Sequence, residues 1–226
     1  MKTHPTPNEN ERILLTSSLS QRLRSETRLA HTRAERSGIM RHVLRGNIDH
    51  PGYIAMLRNL ESIYHALETG LVRHERHPAL SFIDLHAVAR HAAIVSDLDA
   101  LSPVDWRAIP LTDAATDYVA RLRDLDASLA DRLLAHAYLR YLGDLSGGQL
   151  MRGVIARALS LSEERGTSGL AFYDFPAIGD TAAFKAAFRA ALDAAPVVAD
   201  DIVAETHFGY VLHERLFEEL DTGTAA

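Results

Sequence analysis

Cysteine is absent from all 226 residues. That excludes disulfides, Cys-based zinc sites, iron–sulfur clusters, thiolate haem ligation and any cysteine nucleophile. Lysine is nearly absent: Lys2 and Lys185 stand against 22 arginines. No Gly-Lys pair occurs, so the phosphate-cradling loop G-x-x-x-x-G-K-[ST] is missing. There is no basic excess either. Lys plus Arg number 24 and Asp plus Glu 30, a net charge of −6, which argues against a nucleic-acid binder. No charge-free run reaches ten residues, so no transmembrane helix or membrane anchor is expected. The polar start, Met1 to Arg12, has no apolar secretory core, and Asp221–Ala226 carries no hydrophobic tail. A soluble cytoplasmic protein is the expectation.

The chain is otherwise ordinary in balance, 47% hydrophobic and 24% charged, and long enough to bury a core without staples. No linker divides it, so one domain over 16–221 is expected, with a flexible segment at 1–15 and a disordered tail at 222–226. Apolar residues recur with helical period nearly throughout, and no alternating strand pattern persists. A first helix is predicted from the Thr16–Ser20 cluster to about Ser37. A second starts near Asp49 with Pro51 in its first turn, and its apolar stripe is Tyr53, Met56, Leu57, Leu60, Ile63, Tyr64, Leu67. Further helices are predicted over about Phe82–Leu98, Asp113–Leu125, Ser128–Leu142, Val154–Leu161, Thr181–Ala194 and Val198–Leu220, with a loop at Glu163–Ala177. The fold class is therefore all-α, a single-domain helical bundle.

One segment interrupts the helical pattern. Gly143, Gly147 and Gly148 fall within six positions, and each interior glycine costs roughly 1 kcal/mol relative to alanine. Such a run marks a kink, a close helix crossing or close approach of the backbone to a flat ligand, and composition alone does not choose between packing and the rest. The longer string Leu133-Leu-Ala-His-Ala-Tyr-Leu-Arg-Tyr-Leu-Gly-Asp-Leu-Ser-Gly-Gly148 resembles the signature of the haem oxygenases. It departs at Leu134, where the family usually has Ile or Val, and at Leu139, where it usually has a smaller or hydroxyl residue. The resemblance extends over about Leu19–Leu220 and includes Thr27–Glu35, Gly169–Pro176 and Leu216–Leu220.

His31 and Glu35 lie four apart, on one face of a helix. Alone, that spacing fits an ordinary surface or packing histidine better than a ligand. The resemblance reverses this reading: it places His31 at the proximal iron ligand and Glu35 at its hydrogen-bonding partner. It implies that haem b, substrate and cofactor in one, is held between the His31 helix and a glycine-kinked distal helix. Gly143, Gly147 and Gly148 then let backbone approach the ring. Asp144, by itself a turn residue beside a kink, becomes the residue that orders a proton-delivering water network with Tyr64 and Arg140. Tyr138 becomes a haem contact. Arg24, Arg28, Lys185 and Arg189, by themselves a solvated face, become a clamp for the two propionates. Tyr210 and His213 stand at pocket-edge positions where the family often has Phe and Asn. His136 reads as structural.

The implied reaction opens haem with O2, at the α-meso position, to biliverdin, carbon monoxide and ferrous iron. Its electrons would come from a ferredoxin or an NAD(P)H-dependent flavoprotein reductase, since the chain has no G-x-G-x-x-G and no cysteine. Two rivals remain at this level. One is a haem carrier or sensor without turnover. The other is a helical-bundle metalloenzyme sharing only the fold, although no His has Asp or Glu three residues before it, as a Glu-x-x-His di-iron site requires.

Overall fold

The structure, a computed structural model, describes residues 17–164, 166 and 168–223, of which 222 and 223 by backbone alone. The expectation for 1–15 lies outside these residues, as does that for 222–226 except at 222 and 223, which close a 3-10 turn over Leu220–Gly223. Among the described residues there are helices and no strands.

Where the start signals are local, the helices begin where the sequence predicts. Asp49 accepts a hydrogen bond from the Gly52 N–H at 2.8 Å and, with Pro51, starts the long helix α4 (His50–Arg73). All seven residues of its predicted apolar stripe are buried. Thr112 caps α7 (Asp113–Ser128) through the Ala115 N–H. Asp180 accepts from the Ala182 and Ala183 N–H groups and opens α10 (Thr181–Ala194). The last long helix, α11, runs over Ala199–Glu219. The core lies where α4 packs on α7 and α11 packs on α7.

Two predicted helices are subdivided. The first becomes α1 (Leu19–Glu26), α2 (Arg28–Glu35) and α3 (Gly38–Arg45). The chain turns at Thr27, whose buried hydroxyl donates to the Leu23 carbonyl. Gly38 does not merely end a helix; it starts one. It sits at φ +41°, where a Cβ would lie 1.8 Å from the Phe217 carbonyl oxygen, so only glycine lets α3 dock against α11. The predicted Phe82–Leu98 helix becomes a short α5 (Leu85–Val88) and α6 (His91–Leu101). A tertiary carboxylate causes the division: Glu68 of α4 accepts from the Arg90 and His91 N–H groups and caps α6 from outside its own sequence.

The glycine-bearing helix runs without interruption. It comprises α8 (Leu133–Ala137), a π segment (Tyr138–Leu142) and α9 (Gly143–Ala158). The departure from α geometry falls just before Gly143, and all three glycines sit in regular helix. Pi segments of this kind are frequent at functional sites.

Candidate active site

A cavity of about 580 Å3 opens between α2, the π segment with α9, and α11. His31 borders it from α2, and its side chain is 46% exposed. Nδ1 lies 3.4 Å from Glu35 Oε2, loose for a hydrogen bond but within reach of one, which leaves Nε2 for another partner. Tyr210 of α11 meets the imidazole edge-on, with ring centres 5.6 Å apart.

The glycines divide between the two explanations. A Cβ on Gly143 would meet nothing within 4 Å, and one on Gly147 only the tip of Met151 at 3.9 Å. Both border the cavity. Packing does not require either, so their bare backbone serves the open space. Gly148 differs: a Cβ there would stand 3.3 Å from the Tyr173 ring, and the residue does not border the cavity. It packs against the Gly169–Tyr173 loop, off the cavity wall where the resemblance would put a haem contact.

Tyr64 and Lys185 also stand off the wall, contrary to the simplest expectation for site residues. Tyr64 is fully buried on α4 and reaches the cavity through Asp144, to which its hydroxyl donates a short hydrogen bond. Lys185 lies on α10 with Nζ 3.4 Å from the hydroxyl of Ser146, a cavity residue. The other predicted residues, Arg24, Arg28, Glu35, Tyr138, Arg140, Asp144, Arg189 and Tyr210 among them, border the cavity.

Asp144 is buried, and desolvation raises its carboxyl above the ordinary aspartate value; Arg140 and Tyr64 oppose that shift. Arg140 is equally buried. Its Nε donates to the Tyr64 hydroxyl at 2.9 Å, Nη2 lies 3.5 Å from Asp144, and Nη1 lies 2.5 Å from His213 Nε2. Burial disfavours its charge, but the surrounding Tyr64 and Asp144 keep the guanidinium protonated. The product is a buried polar cluster in contact with the cavity.

Several cavity residues carried no signal of their own in the sequence. Met40 lies in the unforeseen α3, and Met56 and Leu60 belong to a stripe that reads simply as core. Phe172 and Tyr173 come from the loop, held by Asp97, which accepts from the Ala171 and Phe172 N–H groups at 2.8 Å each. His136 is structural as expected, buried between Tyr118 and Glu205.

Residues 17–219 match the family described as Heme oxygenase. The chain belongs to the haem oxygenase family. It is 35% identical to haem oxygenase 1 of Nostoc over 92% of this chain and 87% of that protein. Its fold superposes on haem oxygenase from Leptospira interrogans with a TM-score of 0.84 at 34% identity, covering 90% of this chain and 100% of that one. The haem complex of haem oxygenase-1 from Synechocystis gives the same TM-score at 32% identity, covering 91% and 93%.

The residues present fit the tetrapyrrole that a haem oxygenase degrades. The cavity has the volume of a small-molecule site. It offers Nε2 of His31, two side-chain-free positions and an apolar lining, with Arg24, Arg28 and Arg189 at hand for carboxylates; both nitrogens of the other bordering imidazole, His213, are engaged by Arg140 and Gly209. Among the described residues, no group of three His, Asp or Glu could hold a bare metal ion. No helix among them is long and apolar enough to cross a membrane.

Proposed function

We propose that this haem-degrading enzyme binds its substrate in the 580 Å3 cavity with His31 Nε2 on the iron and with Gly143 and Gly147 against the opposite face of the ring. The observation that carries this reading is the coexistence, in one cavity, of an imidazole with a spare nitrogen and two glycines whose missing side chains leave open space. Bound haem supplies the iron that activates O2.

The chain's own residues orient and protonate. Glu35 and the edge of Tyr210 hold the His31 ring in one orientation. Arg24, Arg28 and Arg189, with Lys185 beside Ser146, take the two propionates and fix the rotation of the ring in its plane. That anchoring, with the wall of α9 closing off the rest of the porphyrin, directs cleavage to the α-meso carbon and yields biliverdin, carbon monoxide and ferrous iron.

Asp144 accepts from the Tyr64 hydroxyl, and burial raises its carboxyl above the ordinary value, which eases uptake and release of a proton there. Arg140 keeps its charge and aligns both partners. Electrons come from a ferredoxin or an NAD(P)H-dependent flavoprotein reductase, in the cytoplasm. The absence of cysteine and of a dinucleotide fingerprint supports an external donor.

The test is single-turnover oxidation of the haemin complex with an NADPH–reductase system, followed by absorbance and by chromatography of the bilin. Wild type loses its Soret band and yields the α isomer. Asp144→Ala binds haem with a dissociation constant within about threefold of wild type and forms bilin at least tenfold more slowly, a loss in the range of general acid–base catalysis. A persistent wild-type Soret band with no bilin would leave a haem carrier instead.

A further inference from the structure

We propose that His213 is a positioning residue, whose neutral imidazole accepts a hydrogen bond from Arg140 and thereby aims the guanidinium at Tyr64 and Asp144. Two contacts determine its protonation. Nδ1 lies 2.8 Å from the Gly209 carbonyl oxygen, which can only accept, so Nδ1 carries the hydrogen. Nε2 lies 2.5 Å from Arg140 Nη1, a nitrogen that can only donate, so Nε2 must be bare. An imidazolium would place two donors nose to nose in a buried site. The bond therefore exists only while His213 is neutral.

Its surroundings favour that state. The side chain is buried, and desolvation first, then the Arg140 charge, pushes its pKa well below the ordinary histidine value. Tyr118 of α7 stands edge-on at 5.1 Å, and Phe217 packs from its own helix at 5.8 Å. His136 of α8 adds a further unfavourable charge when protonated. Tyr64 of α4 and Asp144 of α9 lie on the other side of Arg140. Other charges along this stretch of α11 are paired with groups other than His213: Glu214 with Arg33 of α2, Arg215 with Asp117 of α7 and with Glu219, and Asp221 with Arg41 and His42 of α3.

The consequence follows from guanidinium geometry. Its three nitrogens form a rigid plane, and here each has one assigned partner: Nε has Tyr64, Nη2 has Asp144 and Nη1 has His213. Removing the Nη1 acceptor leaves a buried cationic donor unsatisfied, and rotation toward another acceptor would pull Nε and Nη2 from Tyr64 and Asp144. His213 itself does not need to touch the reacting atoms.

Two variants and one spectrum test this. His213→Gln retains an acceptor at about the reach of Nε2, whereas His213→Leu has none. His213→Gln should form bilin within about threefold of wild type. His213→Leu should be at least tenfold slower, with haem affinity changed less than threefold and the circular dichroism of wild type. Equal rates for His213→Leu and wild type, or equal impairment of both variants when folded, would overturn the proposal.

The spectrum uses the haem-free wild-type protein and so holds even if a variant fails to fold. A long-range 1H–15N correlation at pH 7 should show His213 as the neutral Nδ1–H tautomer; an imidazolium or an Nε2–H tautomer would overturn the assignment. The proposal relies on the haem-cleaving reading only for its turnover arm. Absence of bilin from wild type would sink that reading, whereas the tautomer result bears on His213 alone.

Discussion

At the scale of single residues, Gly143 and Gly147 border open space whereas Gly148 packs on the ring of Tyr173. His31 borders the cavity, as the resemblance implies, although the specific string Leu133–Gly148 lies elsewhere in the chain. The three glycines were not separable by sequence, since a bare position looks alike whether it faces a ligand or a ring of Tyr173. This separation makes a prediction with opposed signs. Gly143→Ala places a methyl in open cavity and removes an unfavourable helical glycine, so the haem-free protein should gain up to about 1 kcal/mol. The same methyl occupies space offered to the porphyrin, and haem affinity should fall several-fold in a titration. A variant that gained stability without losing affinity would detach Gly143 from the site. For the proximal side, His31→Ala should bind haem with an altered Soret and visible spectrum. The space vacated, at the side of Tyr210, should admit free imidazole and partly restore both spectrum and turnover. An unchanged spectrum would remove His31 from the iron.

At the scale of elements, local capping made α4, α7 and α10 legible to within a residue or a few, because Asp49, Thr112 and Asp180 each stand just before the turn they satisfy. The breaks that the sequence concealed have distant causes. Glu68 caps α6 from another helix, and the start of α3 is permitted by the backbone of α11 at Phe217. Periodicity continues across such breaks, so a single helix is the natural reading on either side. Gly38 carries the sharper test. With φ at +41° and a would-be Cβ 1.8 Å from a backbone oxygen, no side chain can adjust to admit it. Gly38→Ala should cost about 2–4 kcal/mol, a fall in Tm of about 10 °C for a domain of this size. Because α3 contributes Met40 to the cavity, haem affinity should fall together with stability. A thermal unfolding curve indistinguishable from wild type would show that α3 docks otherwise.

At the scale of the whole molecule, α7, α8 and α11 are joined by a polar group of four: buried Tyr118, His136 and Glu205, and half-buried Arg121. Glu205 accepts from His136 Nε2 at 3.0 Å and from Arg121 Nε at 3.0 Å. Burial alone would push its carboxyl up, but these two donors outweigh burial and bring it down to about 2. A depressed carboxyl stabilises the fold above its unfolded pKa and loses that contribution as pH falls through the folded value. The window therefore runs from about 4.5 down to about 2, and the shift corresponds to about 3 kcal/mol. Asp97, which burial pushes up to about 6, acts with the opposite sign: its contribution is complete below about 4 and fades as pH rises to about 6. The two windows barely overlap, so substitution at one site leaves the other's limb intact. Glu205→Gln should be less stable than wild type at pH 7, where it breaks a buried pair, by about 3 kcal/mol. That difference should shrink steadily below pH 4.5 and nearly vanish near pH 2, with the Asp97 limb between 4 and 6 unchanged. Urea unfolding at a series of pH values measures this directly, and a gap between variant and wild type that stayed constant down to pH 2 would show that Glu205 stabilises the bundle by packing rather than by charge.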